Sequence, residues 1–217
     1  MTQQPQTIAL TDIKAILFDL DDTLYPQNSQ LMEMLLLRIH QFMHEELHFP
    51  SEEIPEIRSR LYRTYGTTLR GLQSEFQVDM DAYIDYLNDI PLGDYLAQDP
   101  ILSKILADLP QPKYVFTNSD RKHAQRVLDL LDVAGHFDRI IDIYAQAPFC
   151  KPQAEAFRIA LDAVRQKPEN CLFIDDSPAN LATAQQLGMA TISVGQFIHE
   201  TSPHIPTIHH LPDLLKG

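Results

Sequence analysis

Short, continuous apolar runs recur along this chain, each separated from the next by a segment with helical spacing. The runs are Ala15-Ile16-Leu17-Phe18, Tyr114-Val115-Phe116, Ile140-Ile141-Asp142-Ile143, Leu172-Phe173-Ile174 and Thr191-Ile192-Ser193-Val194. A strand apolar on both faces must be covered on both faces, and that describes a parallel sheet with helices packed above and below it. The helical segments carry their own punctuation. Asp99-Pro100 reads as an N-cap with proline at the first helical position, ahead of Ile101, Leu102, Ile105, Leu106 and Leu109 on one face. Ser119-Asp120 precedes Ala124, Val127, Leu128 and Leu131, with Gly135 as a stop. Phe157, Ala160, Leu161 and Val164 follow Pro152, and Ser177-Pro178 opens a helix closed by Gly188. The expected fold is α/β, a doubly wound parallel sheet.

One stretch breaks the rhythm. Residues 27–97 hold no convincing strand, only helical pattern: Leu31, Leu35, Ile39 and Phe42, then Ile57, Leu61 and Tyr65, then Tyr83, Ile84 and Leu87. The expected organisation is an α/β core domain of residues 1–26 and 98–217, with 27–97 as an inserted all-helical cap. Ligands of open α/β sheets bind beyond the C-terminal ends of the strands. An insertion placed directly after the first core strand therefore sits over that crevice as a lid, excluding water and choosing substrates.

Charge narrows the function. Seventeen basic against thirty acidic residues give a formal net charge of −13, and a surface so acidic repels polyphosphate backbones, so no nucleic-acid partner is expected. No run approaches the length of a membrane helix, and Met1 to Ala9 lack the pattern of a secretory signal. Cys150 and Cys171 are too few for a disulfide framework, which points to the reducing cytoplasm. An anionic ligand on this chain needs a locally positive site, built from a metal ion, a lysine and helix N-termini together.

The ends of the strands supply such a set. The first runs into Asp19-Leu20-Asp21-Asp22-Thr23, the second into Thr117-Asn118-Ser119, the fourth into Asp175-Asp176-Ser177, and Lys151-Pro152 follows the third. Carboxylates converging in one crevice repel unless a divalent cation joins them, and hard oxygen ligands point to Mg²⁺. Lys151, Thr117 and neighbouring amides could hold the oxygens of a phosphate. Asp19 and Asp21 lie two apart, so in extended backbone their carboxylates share a side. One can attack phosphorus while the other serves as general acid and then base.

Asp19-x-Asp21-x-Thr23, Thr117-Asn118, Lys151-Pro152 and Asp175-Asp176, in this order, resemble the four motifs of the haloacid dehalogenase-like (HAD) phosphohydrolases, and residues 27–97 resemble that superfamily's helical C1-type cap. Phe18–Pro26, Tyr65–Leu72 and Phe173–Ser177 look like the pyrimidine 5′-nucleotidase branch. The resemblance implies Asp19 as nucleophile and Mg²⁺ ligand, Asp21 as acid/base lending its backbone carbonyl to the metal, and Lys151 offsetting charge. It also implies Thr117 and Asn118 on the phosphoryl group, Asp176 as direct metal ligand and Asp175 acting directly or through water. Thr23 joins the substrate-binding set. The expected activity is a phosphomonoesterase on a small phosphorylated metabolite, a nucleoside 5′-monophosphate, by a monomer or dimer. A sugar phosphate or phosphoglycolate is the alternative.

Other readings are weaker. A receiver domain also clusters Asp, Thr and Lys around Mg²⁺, but its acidic pair comes first, whereas Asp175-Asp176 comes last. An inactive binding module would be expected to lose Asp19 or Asp21. A calcium loop starting at Asp19 would want Gly and Glu where Leu24 and Gln30 stand. His199, His204, His209 and His210 read as surface histidines, and Cys150 as a packing residue. Tyr62, Phe76, Tyr83 and Tyr86 read mostly as cap core. Tyr65, Thr67 and Arg70, around Gly66, are the expected substrate contacts of the cap.

Overall fold

The computed structural model of the protein describes residues 7–216; the reading of the first residues as free of a signal lies largely outside that range. The strands are β1 (Ile8–Ala9), β2 (Ala15–Phe18), β3 (Lys113–Phe116), β4 (Arg139–Ile141), β5 (Cys171–Asp175), β6 (Ala190–Val194), β7 (His204–Ile205) and β8 (Leu215–Lys216). The helices are α1 (Leu31–Glu45), α2 (Ile54–Tyr65), α3 (Thr68–Phe76), α4 (Met80–Leu87), α5 (Pro100–Asp108), α6 (Arg121–Leu130), α7 (Ala154–Val164), α8 (Pro178–Gln186) and α9 (Leu211–Leu214). Six strands form one sheet in the order β4-β3-β2-β5-β6-β7, every pair parallel, and β1 pairs with β8 separately. The doubly wound α/β core read from the sequence is therefore present.

Alternate residues of each strand feed opposite faces, as the period of two requires. Ile16, Phe18, Leu172 and Ile174 join one apolar layer with Leu102, Leu106, Val127 and Leu128, while Leu17, Phe116 and Phe173 join the other with Phe157, Ala160 and Leu181. β2 sits at the centre, and β3 and β5 flank it on opposite sides, so the chain reverses direction across the sheet at β2 and leaves a crevice beyond the strand ends. Register completes the placement. Phe18 lies opposite Ile174, and the Asp19 amide donates to the Ile174 carbonyl at 2.9 Å, which sets Asp19 beside Asp175.

The third apolar run, Ile140 to Ile143, is shorter as a strand than its residues suggest, forming β4. Pairing stops at Ile141, because the Asp142 carboxylate accepts from the Ala145 amide and turns the chain. Residues 27–97 form four long helices where the pattern shows three. The extra one is α3, whose periodicity is masked by Gly71. That glycine is demanded by packing: a Cβ there would stand 2.6 Å from the Leu61 Cβ on α2. Phe42, Met43, Leu61, Leu69, Leu72 and Tyr83 build a third apolar cluster joined by Ile143 and Cys150 from the loops beside the sheet. Gly66, at φ +87°, ends α2, and a side chain there would meet the Lys151 carbonyl and Cys150 Sγ, each at 2.8 Å. The helices thus rest directly on the strand-end loops. Among the described residues no helix is long and apolar enough to cross a membrane.

Candidate active site

Lys151 organises the floor of the crevice. Its ammonium, almost wholly buried, donates to Asp19 Oδ1 at 2.7 Å and to Asp175 Oδ2 at 2.8 Å. Its Nζ lies 5.2 and 5.3 Å from the Phe116 and Phe173 ring centres. Burial works against the charge, yet Asp175 and Asp19 more than offset it and hold the ammonium above the ordinary lysine range. The loop carrying Lys151 is tied to the end of β3 by a reciprocal pair. Asn118 Nδ2 donates to the Lys151 carbonyl, and the Lys151 amide donates to Asn118 Oδ1, both at 2.9 Å. Thr117 is buried alongside, its hydroxyl accepting from the Ser119 amide at 3.0 Å.

Asp175 is saturated within the protein: besides Lys151 it accepts from the Ser177 amide at 2.7 Å and from Asn180 at 3.0 Å. Asp19, Asp175 and Asp176 each bring an oxygen within 4.8 Å of the others. Their charge is under-compensated by Lys151 alone. Burial pushes the Asp19 carboxyl well up, reinforced by Asp175 and Asp176, while Lys151 opposes the shift. Asp176 is pushed to about 7 by burial and then by Asp175 and Asp22. A trio of hard oxygen donors short of positive charge fits a divalent cation such as Mg²⁺. The Asp21 carboxylate stands outside this trio.

Asp21 is held differently. Tyr25 donates to Oδ1 at 2.7 Å, Ser119 to Oδ2 at 2.5 Å, and His123 Nε2 lies 2.9 Å from Oδ1. Burial raises this carboxyl, but the facing His123 and the three hydrogen bonds outweigh it and bring it to about 2. His123, in the first turn of α6, went unnoticed in the sequence because its position reads simply as part of an amphipathic helix. The available signal was a histidine in the first turn after a functional strand end, oriented by Asp120, whose Oδ1 caps the Lys122 and His123 amides.

Asp19, Asp21, Thr117, Asn118, Lys151 and Asp176 line one cavity of about 380 Å³, and Met32, Leu35, Ile39, Arg58, Tyr62 and Thr67 line it from the helical stretch. The expected cap contacts divide. Thr67 reaches the cavity, although its hydroxyl also caps α3 by accepting from the Arg70 amide at 3.1 Å. Arg70 does not line it: Nη2 donates to the carbonyls of Ile143 at 2.7 Å and Phe149 at 3.2 Å, so the guanidinium bolts α3 to the core loops. Tyr65 also lies off the lining, packed in the cap cluster with its carbonyl accepting from Cys150 Sγ. Tyr62, read as core, is instead 52% exposed and lines the cavity. Thr23 is buried behind the floor and borders a smaller cavity of about 230 Å³ with Gln27 and Gly195. The four C-terminal histidines each contact an ordinary neighbour, such as Asp99 Oδ2 at 2.7 Å from His209 Nε2.

The model of the haloacid dehalogenase-like hydrolase family matches residues 13–188. Phosphate metabolism protein 8 of Saccharomyces cerevisiae is 30% identical over 194 residues, which are 82% of this chain and 60% of that protein, so the chain spans about three fifths of that relative's length. Among solved structures, HAD-hydrolase YfnB of Bacillus subtilis, bound to magnesium, superposes with a TM-score of 0.62 at 18% identity over 93% of this chain and 97% of its own. The L-2-haloacid dehalogenase of Xanthobacter autotrophicus gives 0.61 at 15% identity over 93% and 98%. At such identities the two structures share the fold with this chain.

Proposed function

From the premise that the chain belongs to the haloacid dehalogenase-like hydrolase family, we propose that it is a Mg²⁺-dependent phosphomonoesterase working through an aspartyl-phosphate. The observation that carries the proposal is Asp19, clamped by Lys151 on one oxygen, at the floor of a cavity that also holds the hydrogen-bonded carboxylate of Asp21. Two carboxylates in such different environments suit different tasks.

Asp19 attacks phosphorus, the P–O bond to the leaving group breaks, and the phosphoryl group passes to the carboxylate. Lys151, Thr117 and Asn118 bind the transferred group. Asp21 stands ionised in the free protein, and an arriving phosphate dianion raises its proton affinity. In that form it protonates the departing oxygen, and as carboxylate it then takes a proton from the water that hydrolyses the intermediate. Asp19, Asp176 and the backbone carbonyl of Asp21 would hold Mg²⁺, with Asp175 acting directly or through water, and the ion supplies positive charge to the phosphoryl oxygens. Residues 27–97 act as cap over a core of 1–26 and 98–217. The apolar side chains of Met32, Leu35 and Ile39 with the ring of Tyr62 offer a wall for a nucleobase, so the substrate assigned is a nucleoside 5′-monophosphate, as in the pyrimidine 5′-nucleotidase branch. The two free cysteines suit a cytoplasmic setting.

Turnover measured over nucleoside 5′-monophosphates, sugar phosphates and phosphoglycolate, with Mg²⁺ and then with EDTA, tests the proposal. Nucleotides should lead, EDTA should silence the enzyme, and Mg²⁺ but not Ca²⁺ should restore it. Full activity after exhaustive chelation would end the metal-dependent reading, and a faster sugar phosphate or phosphoglycolate would end the nucleotide one.

A further inference from the structure

The part of the cavity wall supplied by residues 27–97 contains a single charged side chain, Arg58. Among the described residues its guanidinium makes no hydrogen bond and no ion pair, and its Nε is buried without a partner. Nε of Arg38 and of Arg70 is also buried without a partner, but their terminal nitrogens are engaged, Arg38 Nη2 with the Tyr86 carbonyl and Arg70 Nη2 with two carbonyls, as are those of Arg60 with Glu75 at 2.6 Å. Arg58 differs in having no partner among the described residues at its terminal nitrogens either. The rest of the wall from this stretch is mostly apolar or aromatic, with Met32, Leu35, Ile39 and Tyr83, and its polar members Thr67, Thr68 and Asn88 are uncharged. The charge of Arg58 is felt there: burial and then Arg58 push the His40 imidazole below its usual range. A partly desolvated cation without a counter-charge is costly, and such a violation of pairing inside a binding cavity marks a place completed by a ligand.

We propose that Arg58 is an anion subsite in the lid, and that among phosphate monoesters with otherwise matching leaving groups, nucleotides included, those bearing a second anion, a carboxylate or another phosphate, are preferred. Helix α2 sets the distance. Its end, Gly66, contacts the Lys151 loop. Tyr62 stands one turn back and Arg58 two, so Arg58 is about 12 Å along the helix axis from that contact at 1.5 Å per residue. The second anion therefore belongs at the far end of the leaving group, not beside the transferred phosphoryl. The guanidinium presents paired donors that match a planar carboxylate or two phosphate oxygens. This inference rests on the phosphomonoesterase reading and narrows its substrate class; nucleotides carrying an additional anionic group remain within it.

The test compares phenyl phosphate, 4-carboxyphenyl phosphate and 1,4-phenylene bisphosphate on the intact enzyme with Mg²⁺. The wild type should favour at least one doubly anionic ester by about tenfold or more in kcat/KM, as expected for a charge-assisted contact. Which one leads distinguishes carboxylate from phosphate. Arg58→Gln should bring the ratio toward unity, and Arg58→Lys, which keeps the charge, should retain part of it. A wild-type ratio near one, or a ratio unchanged in Arg58→Gln, overturns the inference while phenyl phosphate turnover leaves the parent reading standing. Absence of turnover on all three esters overturns both.

Discussion

The floor of the cavity and its lid handle charge in opposite ways. At the floor, Lys151 bridges Asp19 and Asp175, and Asp21 is gripped by Tyr25, Ser119 and His123. These groups are fixed before any substrate arrives, which is how a site stabilises developing charge without reorganising. In the lid the wall is mostly apolar, and Arg58 stands there without a partner among the described residues. On the proposed reading, the floor serves what all phosphate esters share, and the lid what distinguishes them. A substitution in the floor should therefore damage every substrate alike, and one in the lid wall should alter the ratio between substrates.

The largest expected effect tests the floor. Asp19→Asn removes the anionic oxygen that attacks phosphorus while preserving shape, and kcat should fall by at least about 10⁴-fold on every ester, as for loss of a covalent nucleophile. Near-wild-type turnover by the purified variant would remove the covalent route and, with it, the assignment of the floor.

Next comes the bridge. Lys151→Met deletes the ammonium and leaves Asp19 and Asp175 facing each other in a buried site. Removing one partner from a buried ion pair costs roughly 3–5 kcal/mol. Urea denaturation in EDTA should show a loss of that order, and added Mg²⁺ should recover part of it by binding the folded state. A loss under about 1 kcal/mol would mean that the floor is held by packing against Phe116 and Phe173, not by charge.

The same contrast explains what is legible in the sequence alone. The floor was legible because parallel strands give continuous apolar runs, and the residues just past them, Asp19, Thr117 and Asp175, must meet at one edge of the sheet. Short polar motifs then name their own chemistry. The lid was less legible because its function depends on which way each helix faces. Tyr62 and Tyr65 lie three apart in one helix, and only packing shows that Tyr62 faces the cavity while Tyr65 joins the cluster. Gly71 hid α3, since the glycine answers to the Leu61 side chain on another helix, a contact no local pattern contains. His123 was overlooked for a related reason: its partner, Asp21, is distant in the chain.

The smallest effect concerns Arg70, and it separates two kinds of lid residue. Its position beside Gly66-Thr67-Thr68 suggests substrate contact, but its guanidinium is spent on the carbonyls of Ile143 and Phe149 and on Gln73 Oε1 at 2.9 Å. Those carbonyls belong to the loops on which the cap helices rest. Arg70→Ala leaves them short of a donor, at a cost of about 1–3 kcal/mol, and weakens the docking of α3 on the core. The thermal midpoint should drop by several degrees for a domain of this size, on the order of 2–4 °C per kcal/mol. Turnover of a nucleotide and of phenyl phosphate should decline in parallel, because a loosened lid admits water to both reactions. A selective loss on the nucleotide, with the thermal midpoint unmoved, would put Arg70 in contact with substrate and return it to the specificity wall beside Arg58.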